Sequence, residues 1–525
     1  MKKAFQILFI GILIFFCFQP AFASIDCLIF FIGTDEEDLF HHSDPSVQKL
    51  FEIPLPSNVE LLIEQDRFLP NGTFRYIRQG TNQPIEISLP ERDSADPKNF
   101  SDFLRWAKEN SHGSRKMLIL ITHSWGWKGI IQDYTVPGFP NTNTMMPLRE
   151  FAGVAQESGL KPDVLFLDCC VCGNAEVVEE IKEVSPFLIV SQLDTPYSGF
   201  PYETLFENLS EKNPNPMELA RSIPSNYVAA YSRGGKKVEA EGGCDFATFV
   251  AIDTSKWDSF AKKMKKLVRI LRASGFRTLL RRDPVLLSGV YDGDGNIDVV
   301  EFLSRLPAIV SNSLVTDSTE EILKTLGYYQ NVSSSTIPHI TLDSKDVRSF
   351  EVRIQSDPLL ASETALDDLK KQWDSVNRDL KFPKGLSFYS RETERRSHPL
   401  RELVVRGPVQ ETLRFRPWLP STLYVILTTL KSDGTRSHRK FTREKGYFEF
   451  GDFPESSFML SEAHSQGAHF IHGIGVCFRP RMNNDEERSL DPISGLSGPT
   501  FYKTLAWNRK TGWGDLILLE NTFSK

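Results

Sequence analysis

The chain has 525 residues, of which 40% are hydrophobic and 25% are charged, and its formal net charge at pH 7 is −7. A chain of this length and composition can bury a large core without disulfide crosslinks. The acidic balance, with no basic arm and no patch of interleaved basic and aromatic residues, argues against a role built on binding nucleic acid or an anionic membrane.

The first 23 residues have the pattern of a secretory signal peptide. Lys2 and Lys3 form its charged part, residues 7–18 its apolar core, and Ala21 and Ala23 a small-x-small cleavage site. The apolar core is shorter than the ~20 residues that a membrane-spanning helix needs. We therefore predict cleavage after Ala23 rather than an uncleaved anchor, and a mature chain that is secreted or periplasmic and not bound to a membrane.

Four elements are predicted before the first candidate catalytic residue. An apolar strand at 27–32 ends in an acidic loop, and two further strands, at 59–66 and 74–80, are joined across a turn at 70–72. A helix follows, with Asp96 as its N-cap and a proline at its first position.

Two buried strands carry the residues that indicate chemistry. The apolar run 117–121 is followed by His123, and the apolar run 164–167 is followed by Cys170. A helix is predicted at 148–155, and the separation of 170 − 123 = 47 residues fits a strand–helix–strand crossover. Because neighbouring parallel strands bring their carboxyl ends to one edge of a sheet, we expect the imidazole and the thiol to lie side by side. A thiol needs such a base to act as a nucleophile.

Strand and helix patterns continue to alternate downstream, with a strand at 186–192 and a strand and long helix between residues 246 and 271. Alternation of this kind predicts an α/β fold with a mostly parallel sheet and helices on both faces. Residues 346–455 contain β-rich stretches instead, and they predict an inserted or appended β-rich module.

The segments around His123 and Cys170 resemble the clostripain family of caspase-like cysteine peptidases. Members of that family carry His-Gly-x-Gly-Trp after one strand and Asp-x-Cys-x-x-Gly-x-x-Glu after the next. Here the two segments are THSWGW and DCCVCGNAEV. The resemblance extends from residue 25 to about residue 232. It implies a caspase-like sheet and a Cys170–His123 dyad without a third catalytic residue.

The resemblance also implies a substrate pocket. Asp168 matches an acidic residue of the family's motif, and residues 191–209 resemble the family's pocket-forming stretch. The family commonly cleaves after arginine or lysine, using acidic pocket residues. Its second pocket aspartate corresponds to Ser198 here. Two alternatives follow: Asp194, which lies nearby, substitutes for it, or the pocket prefers a less basic residue.

The expected mechanism follows from thiol chemistry. The helix after Cys170 and the imidazole of His123 are expected to favour the thiolate, and backbone N–H groups near Gly126 and Cys170 are expected to bind the oxyanion. Ser124 stands where the family has glycine, so the detail of this oxyanion site is expected to differ.

No cofactor is predicted with certainty, and no metal ligand is assigned. The run 292–303 alternates acidic residues like an EF-hand loop, but its glycine is at 295 and Leu303 stands in place of the final glutamate. Asp298 is better explained as a helix N-cap. The resemblance keeps calcium as a candidate cofactor without a located site. A zinc site of His123 with the cysteines at 169, 170 and 172 lacks the usual ligand spacing.

The predicted organisation has four parts: a signal peptide at 1–23, a peptidase domain at 24–345, the β-rich module at 346–455, and a segment at 456–525 that returns to the peptidase domain.

The predicted function is that of an exported cysteine endopeptidase acting on protein or peptide substrates. One alternative is a catalytically silent relative that binds a partner through its β-rich module. A second is a thiol redox protein that uses Cys170 and Cys172.

Overall fold

The computed structural model describes residues 25–68, 72–80, 82–135, 144–212, 214–231, 235, 237, 247–276, 295–310, 312–326, 328–331, 340–356, 370–371, 373–375, 377, 387–393, 400–415, 422–432, 436–442, 447–450, 457–464, 473–477 and 498–518. The predicted signal peptide and Cys244 lie outside these residues.

The described strands, in chain order, are β1 (Cys27–Thr34), β2 (Glu60–Arg67), β3 (Gly72–Gln79), β4 (Ile85–Leu89), β5 (Lys116–Ile121), β6 (Ile130–Asp133), β7 (Thr144–Met146), β8 (Val164–Asp168), β9 (Phe187–Val190), β10 (Thr248–Asp253), β11 (Asn296–Asp298), β12 (Tyr328–Asn331), β13 (Ile340–Leu342), β14 (Val347–Ser356), β15 (Ser387–Thr393), β16 (Leu400–Pro408), β17 (Leu413–Phe415), β18 (Thr422–Lys431), β19 (Arg436–Thr442), β20 (Tyr447–Phe450), β21 (Met459–His464) and β22 (Gly475–Cys477).

The described α-helices are α1 (Glu37–Glu52), α2 (Pro97–Asn110), α3 (Leu148–Glu157), α4 (Ala175–Ile181), α5 (Tyr202–Lys212), α6 (Pro216–Ala230), α7 (Trp257–Ala273), α8 (Val299–Ile309), α9 (Ser313–Thr325), α10 (Gly498–Thr504), α11 (Ala506–Thr511) and α12 (Trp513–Ile517).

A nine-stranded sheet lies at the centre, in the order β21-β10-β9-β8-β5-β1-β2-β3-β4. The strands from β9 to β2 are parallel to their neighbours, whereas the strands at both edges pair antiparallel. All eight residues of β1 are buried, as is typical of a strand covered on both faces. The predicted α/β fold with a mostly parallel sheet is confirmed.

Helices cover both faces of the sheet because each presents one apolar side to it. Phe100 of α2, Phe151 of α3 and Trp257 of α7 are buried in the core on one face. Val47 of α1 and Leu219 of α6 are buried in the core on the other. Large buried aliphatic and aromatic side chains supply most of the favourable free energy of such a core.

The N-terminal part contains one helix that was not predicted. The acidic loop expected after β1 leads at once into α1, which has 16 residues and contains Pro45. In contrast, the predicted helix after Asp96 is present as α2, and the Asp96 side chain accepts a hydrogen bond from the amide of Lys98.

The β-rich region forms a separate five-stranded antiparallel sheet in the order β15-β16-β14-β18-β19. Its own core includes Phe350, Val405 and Leu427. Near the C-terminus, β21 pairs with β10 of the central sheet and β22 pairs with β11. The predicted domain boundaries themselves stay predictions.

The last helices are held to α4 by a buried carboxylate. Glu176 is completely buried and accepts hydrogen bonds from the hydroxyl of Tyr502 and from the amide of Cys477, the latter at 3.1 Å. Burial raises the pKa of Glu176 to about 7, although both donors act to lower it.

Within the described part of the chain, no helix combines the length and apolar character needed to span a bilayer.

This contact predicts a pH-dependent stability. Because the pKa of Glu176 in the folded chain lies above its ordinary value of 4.5, its contribution to stability is largest at low pH and is lost as the pH rises towards 7. Tyr502→Phe should lower the unfolding free energy by about 1 kcal/mol at pH 5, where the carboxyl is neutral, and by roughly 2 kcal/mol at pH 8, where it is charged. Urea denaturation at both pH values measures the difference.

Tyr231→Phe is the matched control. Its hydroxyl donates to the neutral carbonyl oxygen of Gly199 at 2.8 Å, so its cost should be the same at both pH values. Equal costs for Tyr502→Phe at pH 5 and pH 8 would contradict the assignment of a charged partner.

Candidate active site

The register of three parallel strands brings the candidate catalytic residues to one edge of the sheet. Ile32 of β1 pairs with Ile121 of β5, and Ile121 pairs with Asp168 of β8. His123 and Cys170 each lie two residues beyond these paired positions. Neighbouring strands lie about 4.8 Å apart, so the two residues leave the sheet side by side, as expected from the sequence.

His123 is held between acidic and aromatic side chains. Its Nε2 lies 3.5 Å from Oε2 of Glu36, and the rings of Tyr134 and Tyr197 meet its ring edge-on at centroid distances of 5.6 and 6.1 Å. The histidine side chain is 18% exposed. These contacts restrict the orientation of the imidazole while leaving part of it accessible.

Glu36 is fixed by the helix that follows it. It is the N-cap of α1, where its carboxylate accepts hydrogen bonds from the amides of Asp38 at 3.0 Å and Leu39 at 2.8 Å. Burial acts to raise the pKa of Glu36, but these amides and His123 lower it overall. A charged carboxylate is therefore placed against the imidazole.

Cys170 lies in the turn that follows β8 and is partly exposed. Its Sγ accepts a hydrogen bond from the amide of Thr195 at 3.4 Å and lies 3.6 Å from that residue's hydroxyl oxygen. Burial raises the pKa of the thiol to about 12, and the negative charge of Asp194 adds to the shift. The thiol pKa is therefore raised rather than lowered as expected, because burial outweighs the hydrogen bonds from Thr195.

The backbone around the thiol is tightly constrained. Val171 has φ +47°, a conformation that costs a β-branched residue free energy and is found where surrounding contacts enforce it. Gly126 has φ +61°, and a Cβ there would lie only 3.0 Å from the carbonyl oxygen of Val171. Only glycine lets the loop after His123 approach the turn that carries Cys170 this closely.

The amide of Gly126, predicted to bind the oxyanion, already donates a hydrogen bond within the chain. The amide of Gly126 donates to the hydroxyl oxygen of Ser124 at 3.1 Å. The same hydroxyl lies 3.2 Å from Sγ of Cys172 and 3.3 Å from the carbonyl oxygen of Gly129. The residue that departs from the family pattern thus occupies the N–H group that was expected to face the substrate.

The three predicted pocket residues have different environments. Asp168 is buried, and its Oδ2 accepts hydrogen bonds from the amide of Phe200 at 2.8 Å and the hydroxyl of Tyr202 at 2.7 Å. Burial raises its pKa to about 6. Ser198 is also buried, and its carbonyl oxygen accepts from the ammonium of Lys237 at 2.8 Å. Asp194 is exposed, and its charge acts on the Cys170 thiol.

The other cysteines of the motif are not arranged as predicted for a redox pair. Sγ of Cys169 lies 3.2 Å from Sγ of Cys172, and both residues are buried. The thiol partner of Cys172 is therefore Cys169 rather than Cys170. None of the cysteines that the structure describes forms a disulfide.

The structure bears on two of the metal sites considered from the sequence, the EF-hand-like run and the zinc site. Asp298 directly precedes α8, as expected for a helix start, and its Oδ2 accepts from Nε2 of Gln192 at 2.9 Å; Asp292 and Asp294 of the EF-hand-like run lie outside the described residues. Among the described residues, the one group of side chains with metal-ligand spacing contains Asp35, Asp66 and Asp133 and no cysteine or histidine.

A comparison with protein families identifies the chain. The family model described as "Clostripain family" matches residues 50–370, more than half of the 525 residues. The chain belongs to the clostripain family. The resemblance inferred from the motifs is thereby confirmed, and the chain is a clostripain-like cysteine peptidase, a hydrolase.

One solved structure agrees with the fold, and others are similar over part of the chain. A secreted C11 cysteine protease from Bacteroides thetaiotaomicron, in complex with an irreversible peptide inhibitor, is similar at 12% identity over 93% of this chain and 99% of that chain, with a TM-score of 0.52. A second secreted C11 protease from the same organism has 16% identity over 59% of this chain and 88% of that one, with a TM-score of 0.43. No curated protein matches the chain.

An inactive zymogen of a C11 protease from Parabacteroides distasonis is similar at 16% identity, over 58% of this chain and 82% of that chain, with a TM-score of 0.40.

Sequence reasoning missed Glu36 as a neighbour of the candidate base. The acidic run after β1 was visible as Asp35 to Asp38, but it was interpreted as a loop. A signal was available, because β1 is also a buried strand and its carboxyl end must lie at the same edge as His123 if the two strands are neighbours.

The position of Asp194 predicts a measurable effect on thiol reactivity. Asp194→Asn removes a negative charge that raises the pKa of Cys170, so more thiolate should be present at a given pH and alkylation by iodoacetamide should be several-fold faster at pH 8. Alkylation of the other cysteines is measured in the Cys170→Ala variant and subtracted from the total rate. Asp317→Asn, an exposed carboxylate of α9, should leave the rate unchanged, and an unchanged rate in Asp194→Asn would contradict the electrostatic contact.

Proposed function

We propose that this clostripain-like peptidase is an exported endopeptidase in which Cys170 is the nucleophile and His123 transfers the proton. The observation that supports the proposal is the register of Ile121 with Asp168, because His123 and Cys170 each follow two residues later on neighbouring strands. A thiol and an imidazole at one sheet edge, in a chain of this family, support acyl transfer through a thioester.

The raised pKa of Cys170 implies how the attack begins. A thiol with a pKa of about 12 is protonated at neutral pH, so its proton passes to His123 as Sγ forms a bond to the carbonyl carbon of the substrate. The same proton then moves to the amine nitrogen as the C–N bond breaks. Water hydrolyses the thioester, giving its proton to His123 and its hydroxyl group to the acyl carbon, and Sγ finally recovers the proton.

Glu36 acts as a positioning residue for His123 in this scheme. Its charged carboxylate lies 3.5 Å from Nε2 and favours the imidazolium that forms during the attack. Because Nε2 faces Glu36, Nδ1 is the nitrogen that exchanges a proton with Cys170. The family resemblance alone implies a dyad, so this contact is an addition to it.

The substrate class follows from the charge next to the nucleophile. Asp194 is exposed and close enough to Cys170 to act on its thiol, whereas Asp168 already accepts two hydrogen bonds and Ser198 is buried. We therefore infer that Asp194 is the carboxylate that recognises a lysine or arginine side chain before the scissile bond, and that Asp168 mainly holds the 200–202 segment in place.

Export rests on the predicted signal peptide at 1–23. Similar solved structures are described as secreted, which supports the same location for this chain. N-terminal sequencing of the mature protein should find Ser24 as the first residue.

The first test is an activity assay on reduced protein beginning at Ser24. Fluorogenic peptides that end in Arg, Lys, Asp or Asn should be cleaved only when the last residue is Arg or Lys, and Cys170→Ala should reduce cleavage to the uncatalysed background. Asp194→Asn should lower kcat/KM for the basic peptides while it accelerates alkylation of the thiol. Absence of any cleavage by a chain whose thiol is still alkylated would support a silent binding protein instead.

Ser124 gives a second test of the mechanism. Ser124→Gly removes the hydroxyl that occupies the amide of Gly126, so this N–H group becomes available to the oxyanion. Because one such donor is typically worth a factor of 10²–10³ in rate, we expect kcat to rise by on the order of 10-fold with little change in KM. Ser111→Gly is the control, since that hydroxyl caps the end of α2. A fall in kcat would show that the hydroxyl supports the loop rather than blocks it.

A further inference from the structure

A cavity of about 380 Å³ lies between helix α7 and the last three helices, α10 to α12. None of the residues assigned to the candidate active site lines it. The one carboxylate in its lining is that of Asp515. Six cationic side chains surround the same space: Lys265, Arg269, Arg272, Lys503, Arg509 and Lys510. Because the chain as a whole has a formal net charge of −7, this concentration of positive charge indicates a local role.

The sequence of α7 accounts for half of these cations. The helix has 17 residues, of which six are basic and only one is acidic. Lys265, Arg269 and Arg272 are spaced by four and three residues, so they lie on one face of the helix, and all three are exposed. On another side of the helix, Lys266 lies 3.2 Å from a carboxylate oxygen of Glu321 in α9. The side towards α9 therefore has a compensating acidic residue, whereas the side that lines the cavity faces further cations.

Four of the six cations form no ion pair within the described part of the chain. In contrast, Nη2 of Arg272 lies 3.0 Å from a carboxylate oxygen of Asp515, and Nζ of Lys510 lies 2.9 Å from Oε1 of Glu179 in α4. The four side chains without a carboxylate partner are all exposed, and they are Lys265, Arg269, Lys503 and Arg509. Like charges close together repel one another, so an anion that binds among these groups stabilises the lining of the cavity.

The backbone at Gly512 holds a guanidinium at the wall of the cavity. Gly512 joins α11 to α12 with φ +76°, and a Cβ there would lie only 2.9 Å from Nη2 of Arg272. That nitrogen donates to the carbonyl oxygen of Gly512 at 2.8 Å and to Oδ2 of Asp515 at 3.0 Å. Both bonds use Nη2, so Nε and Nη1 of Arg272 have no acceptor among the described residues. The arginine is thus fixed by protein contacts and keeps donors for a ligand.

We propose that this cavity binds a small anion that carries two or more phosphoryl groups. Three of the six cations are arginines, and each guanidinium offers paired N–H donors that match two oxygens of a phosphoryl group. Two phosphoryl groups carry enough negative charge to compensate the four unpaired cations, whereas a carboxylate compensates only one. The volume of the cavity falls at the lower end of the ~300–1,000 Å³ that is typical of small-molecule sites. It therefore fits a diphosphate or triphosphate rather than a folded partner.

The bound anion should connect α7 with the C-terminal helices. Its unpaired partners come from α7, from Lys503 of α10 and from Arg509 of α11, so one anion contacts three helices at once. Contacts of this kind exist only in the folded chain, and binding should therefore stabilise it. The inference goes beyond the proposed function and does not depend on it, because binding is measured without peptide cleavage.

The test uses the reduced chain from Ser24 onward, with EDTA in every sample so that chelation of metal ions by the probe has no effect. Titration calorimetry with sodium tripolyphosphate at pH 7.5 should give one binding event per chain, and saturation should raise the melting temperature by several degrees. At matched ionic strength, sulfate and hexaglutamate should bind at least ~10-fold more weakly. A chain that binds no tripolyphosphate, or that binds sulfate or hexaglutamate equally well, would overturn the proposal.

A vesicle experiment distinguishes the two sources of such phosphoryl groups. The chain is sedimented with vesicles of phosphatidylcholine and phosphatidylinositol bisphosphate. We expect it to stay in solution, because its net charge of −7 opposes binding to an anionic membrane, and the ligand is then a dissolved anion. Sedimentation that tripolyphosphate reverses would assign the same phosphoryl groups to a lipid headgroup.

Three variants locate the anion within the chain. Arg269→Gln and Lys503→Gln should each weaken tripolyphosphate binding by on the order of 10-fold. Neither should lower the melting temperature of the chain without the anion, because each removes a charge that only repels its neighbours. Lys262→Gln is the matched control, since Lys262 is an exposed lysine of α7 that does not line the cavity, and it should bind like the parent chain. The proposal is overturned if Arg269→Gln and Lys503→Gln bind unchanged, or if Lys262→Gln loses as much affinity as they do.

Discussion

The parallel pairing of β1, β5 and β8 determines where each candidate functional group lies. Ile32 pairs with Ile121, and Ile121 pairs with Asp168, so the three strands end at one level. The next residues of each strand therefore emerge at one edge of the sheet. β1 contributes Glu36, β5 contributes His123, and β8 contributes Cys170. A shift of one residue in either pairing would turn the side chains of the shifted strand to the opposite face. The apolar residues on both faces of these strands fix the register. The packing of the core therefore also determines the geometry of the site.

The electrostatics of this edge oppose a free thiolate, and they are the basis of the proposed preference for a cationic substrate. Asp194 is near the sulfur, and Glu36 is near the imidazole. The charge of Asp194, which we propose recognises a lysine or arginine side chain, also raises the cost of ionising Cys170. The hydrogen bond from the amide of Thr195 offsets part of that cost. A thiol that stays protonated until substrate arrives is less exposed to oxidation, because oxidants react with the thiolate.

The sequence was sufficient for the sheet and for the strand ends that carry His123 and Cys170, but not for the contacts between distant segments. Apolar runs such as 164–167 and the cap at Asp96 are local signals, and both were predicted correctly. Helix α1 was missed because its first turn is acidic and Pro45 interrupts its helical pattern. The contact of Ser124 with Gly126 and the proximity of Cys169 to Cys172 depend on how two turns pack together. Neither spacing nor composition encodes that packing, so only a structure could reveal these contacts.

The two halves of the candidate site are supported from opposite ends of the chain. On the histidine side, Glu36 and α1 come from the first described residues. On the cysteine side, the amide of Gly475 donates to the carbonyl oxygen of Gly173 at 2.8 Å, close behind the nucleophile. Tyr502 holds Glu176 of α4 across 326 residues of sequence. The segment that directly follows Cys170 therefore packs against the C-terminal end of the chain. The support of the candidate site thus comes from both ends of the sequence, and closing these long loops costs chain entropy that the core must offset.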